Sequence, residues 1–221
     1  FQSIFLVRAH GITTGEAAIW INTPVALVAA SGTFATGWMA TRLYKKYPGA
    51  IAWVPAIGLA LSVPFYLYAF TTKNLLYAGI CLGIGGFVKY GYLAAQYTIG
   101  QGVVTMRVRA TATAVLLFVV NLIGYGFGPL FIGAISDIFF VNGIVELGVT
   151  TEELARNQCH PRVIAELSEP LQNVCGAVYA DSLRSAMLIT ASLYAACAFF
   201  FLLTWRRLDK DMVDRNPARA T

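Results

Sequence analysis

The chain has 221 residues, of which 57% are hydrophobic and 12% charged, and its formal net charge is +5. That charged fraction is about half the ~25% usual in soluble domains, which excludes a water-soluble globule with an ordinary surface. The positive balance does not signal nucleic-acid binding either, because the basic residues fall in short turns rather than in one continuous patch.

Residues 1–7 are apolar but too short to cross a membrane, and the chain opens on Phe1. They read as the end of an earlier helix, and the chain as a fragment whose missing part lies upstream. Downstream, residues 17–41, 50–72, 110–136 and 185–205 contain no Asp, Glu, Lys or Arg, and 74–106 contains Lys89 alone. Each stretch exceeds the ~20 residues that span a bilayer core. Each must be helical, since an unpaired amide in hydrocarbon costs several kcal/mol and none shows the alternation of a barrel strand. The expected class is an all-α polytopic membrane protein with spans at 16–38, 50–70, 74–100, 110–137 and 185–205.

Between the spans, loops are expected at 39–49 and 101–109, a long loop at 138–184 and a tail at 206–221. Alternate loops divide the positive charge unequally. One side carries Arg42, Lys45, Lys46, Arg107, Arg109, Arg206, Arg207, Lys210, Arg215 and Arg219; the other carries Arg8, Lys73, Arg156, Arg162 and Arg184. By the positive-inside rule the richer side is cytoplasmic and the loop at 138–184 is extracytoplasmic. That loop has a soluble, acidic composition and a short surface helix is expected near 151–157, capped by Thr150 or Thr151. Its Cys159 and Cys175 are a possible disulfide in an oxidising compartment, whereas Cys81 and Cys197 fall inside spans, where a reduced thiol is the default.

Glycine pairs Gly79/Gly83 and Gly124/Gly128 have the small-xxx-small spacing that brings helices close. Polar residues beside them, Asn22, Lys89, Gln96 and Asn121, avoid lipid and face protein or a wet cavity. The glycine clusters at 83–86 and 124–128 are not dinucleotide loops, because neither follows a strand. His10 and His160 stand in outer loops with no metal-like spacing, and no span carries a catalytic constellation, so the chain does not read as an enzyme and no metal site is expected.

Two motifs carry a resemblance. Gly37-Trp-Met-Ala-Thr41-Arg42-Leu-Tyr-Lys45-Lys46 resembles the G-x-x-x-D-R-x-x-K/R-K/R loop of the major facilitator superfamily, with Thr41 where that family has an acid. Gly124-x-x-x-Gly128-Pro129-Leu-Phe-Ile-Gly133 resembles its glycine-proline helix motif, with Ile132 in place of one glycine. Arg107-Val-Arg109-Ala-Thr-Ala-Thr-Ala, the run from Asn121 through Pro129, and Ser136-Asp137 are similar to bacterial members of the spinster branch, whose animal relatives export sphingolipids and lysolipids. The resemblance implies the C-terminal half of a twelve-helix fold, from the end of helix 7 to helix 12. It also implies alternating access around a midplane site, coupling to a proton gradient through residues of the N-terminal half, and residence in a bacterial cytoplasmic membrane.

On that analogy the cavity is lined by Lys89, Tyr92 and Gln96 (i, i+3, i+7), by Asn121 and Tyr125 (i, i+4), by Asn22 and by Gln2. Gly37, Arg42, Lys45, Lys46, Arg107 and Arg109 are the expected cytoplasmic gate; Gly79, Gly83, Gly124, Gly128, Pro129 and Gly133 are expected to pack helices. No cofactor is expected. The partners are membrane lipid, a small or lipid-like solute and the N-terminal half of the same transporter. Two other classes stay open: a receptor or assembly subunit, which needs no polar cavity, and a membrane-embedded enzyme with its site in the missing half.

Overall fold

The computed structural model describes residues 2–47, 49–146 and 169–212, and among them every regular element is helical. Helix α1 (Gln2–His10) stops where Gly11 takes a φ of +67°, a conformation only glycine adopts freely. Thr13 opens the next helix with a capping box. Its hydroxyl accepts the Glu16 N–H at 3.2 Å, while Glu16 Oε2 accepts the Thr13 N–H at 2.8 Å. Helix α2 (Thr14–Tyr44) follows, and its residues Ala17–Asn22 are π-helical. Pro24 has no N–H to offer the carbonyl four residues back. Widening the preceding turn lets the Thr23 N–H and hydroxyl both reach Ala18 O, the hydroxyl at 2.9 Å.

Helix α3 (Ala50–Thr71) contains Pro55 and Pro64, and α4 (Leu75–Lys89) is capped by Asn74, whose Oδ1 accepts the N–H groups of Leu76 and Tyr77 at 3.0 and 3.4 Å. A turn at Tyr90–Gly91 separates α4 from α5 (Tyr92–Gly102). Helix α6 comprises Arg109–Asn121, a π-helical turn Leu122–Phe127 and Gly128–Glu146. Its π turn again stands two residues before a proline, Pro129, with the Gly128 N–H reaching back to Ile123 O. Helix α7 (Glu169–Asp211) is the longest. Five helical stretches are long and apolar enough to cross a membrane: Thr14–Tyr44, Ala50–Thr71, Leu75–Gly102, Met106–Val145 and Gln172–Leu208.

Part of the segment expected as a loop, 138–184, is helical. Helix α6 runs on to Glu146 and α7 begins at Glu169, so that α7, with 43 residues, is about 65 Å long against a core of ~30 Å. The extensions persist because their apolar positions pair: Phe140, Val141 and Ile144 pack on Cys175, with Val178 and Tyr179 beside them. The surface helix expected near 151–157 and Cys159 lie outside the described residues.

Helix α3 is the central post, packed on α4 and α7, while α2 packs on α4. One core joins Phe5, Leu6, Ile21, Tyr66, Phe70, Leu82, Leu183 and Met187 from five helices. At the basic end a second core joins Ile51, Ala52, Ala95, Leu208 and Met212. Close backbone crossings surround the end of α4. A Cβ on Gly32 of α2 would overlap the Phe87 carbonyl, and one on Gly58 of α3 would overlap the Val88 carbonyl. Gly91, in the turn itself, lies equally close to the Thr36 side chain.

Those crossings are not at the glycines expected to pack helices. Gly79 meets only Ile21, at 3.9 Å, and Gly83, Gly124 and Gly133 face open space among the described residues. Gly128 approaches only the Ile123 carbonyl of its own helix, at 4.0 Å, and Pro129 is exposed. The spacing marks a surface that can accept a neighbour, and along α6 no described helix takes that place.

Candidate functional site

Lys89 is the last residue of α4, and the turn at Tyr90–Gly91 follows it. Three tyrosines, two from helices and one from the turn after Lys89, enclose the ammonium. Nζ lies 4.5 Å from the ring centre of Tyr90, 4.8 Å from that of Tyr194 on α7 and 4.9 Å from that of Tyr66 on α3. It also donates to Tyr194 Oη at 3.3 Å. Tyr66 and Tyr194 meet edge to face, with centroids 5.5 Å apart. Aromatic faces carry negative quadrupole density, so this box stabilises a cation without a formal counter-charge.

The box opens on a cavity of about 720 Å³, within the ~300–1,000 Å³ range of small-molecule sites. At its other pole Gln2 Nε2 donates to Asn22 Oδ1 at 3.2 Å, and Asn22 Nδ2 donates to Ser3 Oγ at 2.8 Å. Apolar walls of Val25, Ala29, Phe70, Ile132, Met187 and Ala191 connect the two poles. No Asp or Glu lines the cavity among the described residues. The site therefore has one cation, an amide pair and a greasy middle, which suits a solute with an anionic end and an apolar body.

Of the seven residues expected in the cavity, the structure brings Lys89, Asn22 and Gln2 together. Tyr92 and Gln96 are half-buried on α5 and do not line it. Their expected face assumed an unbroken helix, and the turn at Tyr90–Gly91 interrupts the i, i+3, i+7 register. Asn121 is exposed and returns its amide to Leu117 O at 2.7 Å; Tyr125 is 81% exposed. The only contribution of α6 to the wall, among the described residues, is Ile132.

The tyrosines on α3 and α7 were not singled out by the sequence. A signal existed for one of them: Tyr194 stands near the middle of a charge-free stretch, whereas membrane tyrosines gather at the interfaces. A mid-span phenol needs a polar partner, and the Tyr194 hydroxyl has one in Lys89.

At the basic end, Gly37 is half-buried and Arg42 stacks on Trp38 of its own helix at 4.7 Å; Lys45, Lys46 and Arg107 are exposed. Thr41, standing where the resembled motif has an acid, returns its hydroxyl to Gly37 O at 2.8 Å. Arg109 is half-buried and lines a smaller cavity of about 340 Å³ with Thr41, Tyr97, Gln101 and Met212. At the opposite end Arg184 donates to Phe70 O at 3.0 Å, holding the start of the last span to the end of α3. His10 sits nearby with its Nε2 buried and without a hydrogen-bond partner among the described residues. Burial holds its pKa below the ordinary histidine value; the Lys73 backbone opposes this and the Arg184 charge adds to it. Cys175 is fully buried and disulfide-bonded, and Cys81 and Cys197 are free.

No protein-family model matches the chain. It is 26% identical over 137 residues to an MFS-type efflux pump of Mycolicibacterium smegmatis, a match covering 62% of this chain and 32% of the pump. Two crystal structures of a bacterial homologue of the human lysosomal transporter Spinster superpose on it with a TM-score of 0.82, at 36% and 38% identity. Both are inward-facing, one occupied and one unoccupied. Each match covers 96% of this chain but 46% and 44% of the solved chains, so this chain spans less than half the length of those relatives.

Proposed function

Because the chain belongs to the major facilitator superfamily, we propose that it forms the C-terminal half of a secondary active transporter that moves a small organic or amphipathic anion. Transport proceeds by alternating access around the cavity at Lys89, driven by a proton gradient through coupling residues of the N-terminal half. The observation that carries this reading is the ammonium of Lys89 facing a 720 Å³ cavity with no carboxylate among its described lining residues. An intramembrane lysine costs roughly 2.5–3.5 kcal/mol to insert, and with no acid beside it among the described residues it is suited to receive an anionic solute. The amide pole of Gln2 and Asn22 and the apolar walls between favour a solute with an extended hydrocarbon or aromatic body.

The test is transport by the intact protein in liposomes, with a fluorescent single-chain alkyl phosphate as the solute and an imposed proton gradient. Lys89→Ala lowers flux by tenfold or more, as expected for loss of a charge-assisted hydrogen bond worth about 1.5–3 kcal/mol. Lys89→Arg, which keeps the charge but changes its shape, restores only part. Wild-type flux in Lys89→Ala would remove the site from the transport path.

A further inference from the structure

A carrier must complete its return step empty, and an uncompensated ammonium in a dry cavity opposes that step. Without any acid among the described residues, Lys89 is nevertheless provided for. Three ring faces lie within 5 Å of Nζ, one phenol hydroxyl accepts from it, and the rings come from α3, from α7 and from the turn that follows Lys89 itself. The rings are themselves held. Tyr66 is 5% exposed and stacks against Phe70 and Tyr194, and the end of α4 is fixed by backbone contacts at Gly32 and Gly58. The Tyr66 and Tyr194 faces of the box are thus part of the packed scaffold.

The geometry points to Tyr66, Tyr90 and Tyr194 as the resting counter-ligand of Lys89, so that substrate binding is an exchange in which an anion takes the ammonium from the three rings. This rests on Lys89 being the anchor for the substrate's anionic group. The exchange makes the tyrosines specificity-determining. A carboxylate or phosphate offers a charge-assisted hydrogen bond, roughly twice as strong as a neutral one, and offsets loss of the ring faces. A hydroxyl or amide acceptor does not, so neutral amphiphiles leave Lys89 in its box. On release of the anion the box recaptures the lysine, and the carrier returns with its charge satisfied.

The experiment uses intact protein in phosphatidylcholine nanodiscs, with lysines labelled at 13Cε and the Lys89 resonance assigned by its loss in Lys89→Arg. Ring currents from three tyrosines place that resonance upfield of the other lysines. Dodecyl phosphate moves it downfield with saturation, and dodecyl maltoside leaves it in place. Residue 66 is then replaced by phenylalanine and by pentafluorophenylalanine, which keep the ring's shape while the second abolishes its negative face. Relative to phenylalanine, the fluorinated ring tightens dodecyl phosphate binding about two- to fivefold, the range expected for one cation–π contact. It also shifts the apo resonance of Lys89. A Lys89 resonance that is not upfield in the apo protein overturns the box. Equal phosphate affinity with both rings overturns the exchange while leaving Lys89 as the anchor. No response of wild-type Lys89 to dodecyl phosphate overturns the anchor reading and the exchange with it.

Discussion

Helices α3 and α6 are both unbroken by charge through their cores, and α6 is the more apolar, yet they occupy opposite situations. Half of the most apolar stretch of α3 is buried, and none of that of α6 is. On α3, Tyr66 and Ser62 are buried and the glycine at 58 touches a carbonyl of its neighbour; on α6, Phe118, Tyr125 and Leu130 project from the described structure. Hydropathy therefore identifies the solvent a helix can tolerate but not the partner it meets. In α3 the apolar surface is buried in the chain's own core; in α6 it is presented outward from the described residues.

The largest test of that contrast is a pair of added methyl groups. Gly58→Ala on α3 drives a Cβ into the Val88 carbonyl and costs about 3 kcal/mol by overpacking. Gly124→Ala on α6 meets nothing among the described residues and is neutral or stabilising by up to about 1 kcal/mol through helix propensity. Thermal unfolding in detergent separates them, and equal losses would mean that α6 is as tightly enclosed as α3.

Comparable in size, but confined to the projecting ends of α6 and α7, is the disulfide of Cys175. Cys159→Ser, which keeps the Cys175 side chain in place as a free thiol, lowers stability by about 3 kcal/mol if the two are bonded. Non-reduced peptide mapping should recover Cys159 linked to Cys175. Two free thiols in oxidised material would exclude that pair.

A functional version sharpens the comparison at single residues. Lys89→Ala abolishes most transport, whereas Asn121→Ala, which removes an amide bonded within its own helix, leaves flux nearly unchanged. Loss of transport in Asn121→Ala as deep as in Lys89→Ala would place α6 at the site after all.

The smallest effect concerns His10. With its pKa depressed in the folded state, the unfolded chain binds more protons as pH falls below about 6.5, so stability present above that value is lost below it. His10→Asn should flatten the acid limb of a plot of Tm against pH while leaving Tm at pH 8 nearly unchanged.

The spans were legible because bilayer thickness and backbone hydrogen bonding leave long apolar runs one structural choice. Lys89 was legible because one charge in 33 residues stands out against its surroundings. Its tyrosine box was not. Gly91 looks like any other glycine of a glycine-rich span, and only the Thr36 side chain, 55 positions earlier, explains why the turn must pass there. The same holds for Gly32 and Gly58, which lack the paired spacing of Gly79 and Gly83 but are the ones pressed against carbonyls. Register also misled: π turns before Pro24 and Pro129, and the break after Lys89, each rotate the residues beyond them relative to an ideal helix.

The backbone contacts at Gly32 and Gly58 bear, finally, on how the protein meets bilayers of different thickness. A helix answers hydrophobic mismatch by tilting or by deforming nearby lipid, at fractions of a kcal/mol per Å. With the carbonyls of Phe87 and Val88 seated against neighbours on both sides, α2, α3 and α4 must tilt as one block. The depth of Lys89 relative to Tyr66 is then the same in a thin membrane as in a thick one.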